Sequence, residues 1–112
     1  MTADDFRRLA LAMPGAVESA HMRHPDFRVG KTIFATLGYP KEGYAMVKLA
    51  REQQSVLVSA EPFMFAPASG AWGRNGATIV TLAHVDEAAA ADAIRMAWSR
   101  CTVDGAGKQS LT

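Results

Sequence analysis

Pro25-Asp26-Phe27-Arg28-Val29-Gly30-Lys31-Thr32-Ile33-Phe34-Ala35-Thr36-Leu37 is the stretch that decides the fold. Pro25 pushes His24 towards an extended backbone. From Asp26 the hydrophobic period is two, with Phe27 and Val29 on one face and Arg28 on the other. Gly30-Lys31 has the composition of a tight turn, and Thr32 to Leu37 is rich in β-branched and aromatic residues. Two such runs so close in sequence pair antiparallel.

Downstream, Gly38 to Gly43 holds Pro40 and reads as a loop, and Tyr44 to Leu49 reads as a third strand. Arg51 to Ala60 is expected to be a helix, with Gln53, Val56, Leu57 and Ala60 at helical spacing and Glu61-Pro62 ending it. Phe63 to Ala66 reads as a fourth strand. Ser69 to Gly76, with three glycines and Asn75, reads as a loop or hairpin turn, and Ala77 to Leu82 as a fifth strand. A closing helix spans about 86–100, with Ala90, Ile94, Ala97, Trp98 and Cys101 as its apolar stripe.

Upstream, Thr2 can cap a helix whose first turn holds Asp4 and Asp5, which suit the positive end of the helix dipole. Phe6, Leu9, Ala10 and Met13 form its buried stripe, and Pro14-Gly15 stops it. Residues 16–25 are read as a strand or strand-like loop. The expected fold is α/β (α+β): a two-layer sandwich in the order α-β3-α-β2-α, with an antiparallel sheet covered by helices on one face. Residues 1–102 form a single domain and 103–112 a flexible C-terminal tail.

A chain of 112 residues has room for one core. Cys101 is the only cysteine, so no internal disulfide forms, and a small domain without one suits a reducing compartment such as the cytoplasm. Met1-Thr2-Ala3-Asp4-Asp5 lacks the basic and apolar regions of a signal peptide. No apolar run approaches the about 18 residues that span a bilayer, so a membrane role is not expected.

No catalytic centre is evident. Glu18, His21 and His24 are spaced by three, which would align them on a helix but sends them to opposite faces of a strand. They are read as polar surface residues, not a metal site. Cys101 lies on an apolar helix stripe, which favours a core cysteine over a nucleophile. Gly70, Gly73 and Gly76 match neither the dinucleotide nor the P-loop spacing and are read as turn glycines. No cofactor is implied.

Charge is more informative. Residues 23–51 carry Arg23, Arg28, Lys31, Lys41, Lys48 and Arg51 against Asp26 and Glu42, a balance of +4, while the rest of the chain stands at −3. A basic strand segment suits phosphate contact, and it also suits a solvated strand face protected from aggregation. Trp72 and Arg74, in the glycine-rich stretch, have the composition of a binding tip, with an aromatic for stacking and a cation for phosphate. The alternative is that Trp72 folds back to close the core.

Met13-Pro14-Gly15-Ala16 resembles the "Leu-Pro-Gly" opening of the MmcQ/YjbR-like proteins, and the run from Pro25 to Ala35 resembles that family's "Pro-x-Phe-x-Val-x-x-Lys-x-Phe-Ala" segment. Val47-Lys48-Leu49, the stretch from Trp72 to Leu82 and the closing helix with Trp98 are similar to its later motifs. The resemblance covers about residues 2–101. It implies a bacterial cytoplasmic protein with an α-β3-α-β2-α fold, in outline like type III secretion chaperones. Members are commonly labelled DNA-binding, some with a double-wing arrangement, and the resemblance carries over no catalytic residues. One departure is the absence of glycine from Glu18 to His24.

These readings converge on a non-enzymatic binding module. DNA is the leading partner, with Arg28, Lys31, Lys48, Arg51 and Arg74 on phosphates and Trp72 as a stacking contact. The alternative is a protein- or small-ligand-binding module that uses the open sheet face. An enzyme centred on Glu18, His21 and His24 is the third reading.

Overall fold

The structure is a computed structural model that describes the backbone of residues 1–110 and the side chains of residues 1–102. The elements run α1 (Ala3–Leu11), β1 (Ala16–His21), β2 (His24–Val29), β3 (Thr32–Leu37), β4 (Tyr44–Lys48), α2 (Arg51–Ala60), β5 (Phe65–Pro67), α3 (Gly70–Arg74), β6 (Ala77–Thr81) and α4 (Glu87–Ser110). The strands form one antiparallel sheet in the order β1-β2-β3-β4-β6-β5. This is the expected α/β sandwich, with one more strand, β1, and one more helix, α3, among the described residues. The side chains of the expected tail, 103–112, lie outside the described residues.

Thr2 caps α1 as its sequence suggests. Its hydroxyl accepts from the Asp5 amide, and the Asp5 carboxylate accepts from the Thr2 amide in return. Phe6 and Ala10 are fully buried, and Leu9 and Met13 pack at the margin of the core. Trp98 of α4 donates its indole N–H to the Pro14 carbonyl (2.8 Å), fixing the middle of α4 against the turn that follows α1.

The helix-covered face of the sheet contributes Phe27, Leu37, Val47, Val80 and Phe65, which meet Phe6 of α1 and Ile94 and Ala97 of α4. The register of β2 against β3 shifts between Phe27 and Arg28, leaving Phe34 as an extra residue in β3. A bulge of this kind breaks the alternation locally, so Phe34 and Ala35 are both fully buried. In α2 the inward residues are Gln54, Leu57 and Val58, whereas Val56 is 65% exposed and Ala60 is also at the surface. The expected stripe of Gln53, Val56, Leu57 and Ala60 is therefore rotated by about one residue. The reason is Gln54, whose amide donates to the carbonyls of Gly73 and Ala77, both at 2.9 Å. A polar residue is buried because it satisfies two backbone acceptors.

Strand β1 joins β2 through the two-residue turn Met22-Arg23, with φ of 48° and 69°. A turn with both central residues at positive φ matches the twist of a hairpin and is ordinarily made by Asn-Gly, since a side chain in this region costs about 1–2 kcal/mol. Here Met22 is 85% exposed, so burial offsets none of that cost. The absence of glycine between Glu18 and His24 thus takes on a structural meaning. Replacing Met22→Asn together with Arg23→Gly is expected to raise unfolding stability by about 1–2 kcal/mol in urea titrations. An unchanged midpoint would mean that the turn carries no strain.

Candidate functional site: the open sheet face

The sheet face away from the long helices carries Asp26, Thr36, Met46 and Ile79 along one row of cross-strand partners. Asp26 is fully buried, which for a carboxylate demands partners. Arg28, two residues on and so on the same face, donates from Nε at 2.7 Å and from Nη2 at 3.0 Å, one bond to each carboxylate oxygen. His21 Nδ1 lies 2.7 Å from Oδ2. The Arg28 hydrogen bonds hold the Asp26 carboxyl below the usual carboxylate range; burial opposes this and the His21 contact reinforces it. Arg28 is in turn held firmly charged.

Beside this cluster, rings from four separate segments follow one another across the face. His21 and His24 have centroids 6.4 Å apart, His24 and Tyr39 6.1 Å, and Tyr39 and Trp72 5.5 Å. Tyr39 and Ile79 pack against Met46, Ala68 and Ala77, a small apolar group on this side of the strands. Thr36, the cross-strand partner of Met46, is 1% exposed, and its hydroxyl has no hydrogen-bond partner among the described residues.

Trp72 is 53% exposed, so it does not close the core. It sits on α3, whose position is set by backbone contact. A Cβ on Gly73 would lie 1.7 Å from the Ala68 carbonyl oxygen, and one on Gly76, at φ +106°, would lie 1.9 Å from that of Leu49. Only glycine permits either approach. Ordinary turn composition does not disclose this role. Trp72, Lys48, Asn75, Ala77 and Arg100 line a depression of about 130 Å³.

The six candidate residues fall into two groups. Arg28 lies near the end of β2, paired with Ile33 and engaged by Asp26. Lys31 occupies the β2–β3 turn, Lys48 ends β4, Arg51 begins α2, and Trp72 and Arg74 both lie on α3. Because β3 and β4 run antiparallel and Lys48 pairs with Ala77 at the start of β6, these five residues gather at one end of the sheet. Arg100 joins them there and was missed in the sequence, where it reads as one more exposed residue of a terminal helix. Glu52 follows Arg51 in the first turn of α2.

The trio Glu18, His21 and His24 does not converge. Glu18 accepts from Arg7 of α1 (3.0 Å), whereas His21 lies on the Asp26 face. Period-two alternation separates Glu18 from His21, as expected for a strand, whereas His21 and His24 pair across the hairpin and share a face, because the Met22-Arg23 turn lies between them. Among the described residues no group of three or more metal-ligating side chains comes together. Cys101 is partly buried at the margin of the core. No helix among the described residues is long and apolar enough to cross a membrane.

Two substitutions probe this face. Asp26→Ala is expected to cost about 2–4 kcal/mol at neutral pH, since it leaves Arg28 without its partner in a partly buried site. A carboxylate whose folded pKa is depressed contributes stability above its unfolded value and loses it as pH falls through the folded one. The gap between wild type and variant should therefore narrow below about pH 4. An equal gap in urea unfolding at both pH values would refute the electrostatic account. Thr36→Val, which removes a buried unpartnered hydroxyl at nearly constant shape, should raise stability by about 1 kcal/mol.

The sequence matches the family model described as YjbR over residues 11–100. No curated protein matches it. Among solved structures, the Deinococcus radiodurans protein DR2400, with a domain of the DUF419 family model, is similar to it. The two superpose with a TM-score of 0.72 at 21% identity, covering 87% of this chain and 75% of that one. That likeness concerns the fold, and the family match spans most of the sequence: the chain belongs to the YjbR family.

Proposed function

We propose that the protein is a non-enzymatic module that binds DNA through its phosphates at the basic end of the sheet. The observation that carries this reading is the depression in which the half-exposed Trp72 lies with Lys48 and Arg100. A flat apolar ring flanked by cations suits a nucleotide, with its π-face on one side and its charge on the other. Lys31, Arg51 and Arg74, at the same end of the sheet, extend the positive field. Arg28 enters this reading as a structural cation, because two of its donors are spent on Asp26.

The overall charge of +1 does not oppose this, since phosphate binding depends on the local field and residues 23–51 alone carry a balance of +4. The test is fluorescence anisotropy with labelled DNA at two salt concentrations. Binding is expected at low salt, with affinity falling as salt rises, and Lys48→Ala should reduce the salt slope by about 1. Absence of binding at low salt, or a slope near zero, would overturn the reading.

A further inference from the structure

The geometry points to single-stranded nucleic acid as the partner, with unpaired bases laid on the ring row His21–His24–Tyr39–Trp72 of the open sheet face. This rests on the phosphate-binding reading and specifies its substrate. Duplex DNA hides the faces of its bases in the stack, so a protein that meets it from outside uses cations and groove-fitting elements. Aromatic rings on an open antiparallel sheet instead suit bases that are already unstacked.

Three observations favour the second arrangement. First, the rings are consecutive, at centroid spacings of 5.5–6.4 Å, and come from β1, β2, the β3–β4 loop and α3. Their interplanar angles of 52–87° mean that no two are stacked face to face, so each contact takes up at most one face of one ring, and Trp72 at the end of the row is 53% exposed. Second, the row ends at Trp72, where Lys48 and Arg100 share its depression. A strand whose bases follow the rings therefore finds cations for its backbone at that end. Third, the row shares its face with the buried Asp26 cluster and with the Thr36 hydroxyl, which has no partner among the described residues, beside only a small apolar group of Met46, Ala68 and Ala77.

The test compares oligothymidylate, oligouridylate and a mixed-sequence duplex of equal length, by anisotropy and by tryptophan fluorescence. Tighter binding of either single strand than of the duplex is expected, with quenching that Trp72→Ala abolishes; the tighter of the two names the backbone. Stacking is worth about 1–3 kcal/mol per base, so Trp72→Ala and Tyr39→Leu should each weaken single-strand binding about 5–150-fold while leaving the salt slope unchanged. Tyr39→Phe should retain binding. If Tyr39→Leu does not fold, the half-exposed Trp72 carries the test alone. Duplex binding as tight as single-strand binding, or unaltered affinity in Trp72→Ala, would overturn this inference and leave the phosphate reading standing. Failure of all three probes to bind at low salt would remove both.

Discussion

A sheet of six strands has two faces, and this chain has enough helix to cover one of them. α1, α2 and α4 send their apolar residues to the same side, where the phenylalanines of β2, β3 and β5 complete a core without a buried charge. The other side has to be finished by what the strands and loops carry themselves. That constraint explains why the buried carboxylate, the unpartnered hydroxyl and the ring row all occur on one face. A second helical layer would have required apolar residues at those positions.

The Asp26 cluster shows how such a face is held together. Hydrophobic area is scarce there, and a buried ion pair seldom stabilises more than a well-packed apolar substitute. What it supplies is direction. Arg28 bonds both carboxylate oxygens and His21 reaches across from β1, so the outer hairpin is attached to the sheet by side chains as well as by its ladder. Two of the N–H donors of Arg28 are thereby spent within the protein, and the cations without such a partner on this face lie at the sheet end.

The stretch from Asp26 to Leu37 was legible because a half-buried strand writes its environment into alternate residues. Strand β1 was legible only as extended chain within residues 16–25, and was not counted as a separate strand, since an edge strand with most of its residues exposed leaves no such signature in Ala16–His21. Helix α3 was invisible for a different reason. Gly-Ala-Trp-Gly-Arg has poor helix propensity, and its place depends on Gln54 and on backbone approaches to Ala68 and Leu49, all distant in sequence. The candidate site divides in the same way. The basic character of residues 23–51 could be counted, but the junction of Lys48 with Arg100, and of His24 with Tyr39 and Trp72, exists only once the strands are ordered.

The two glycine approaches beside α3 bear on how this face can change over time. Where a platform is located by main-chain contact, the side chains it displays are free of the duty of holding it in place. Position 72 can therefore be exchanged for another residue with the backbone beneath it undisturbed, provided that positions 73 and 76 stay without a side chain. A fold arranged in this way lets ligand preference drift quickly while its architecture drifts slowly. Two related chains could then share nearly every strand and still bind quite different molecules.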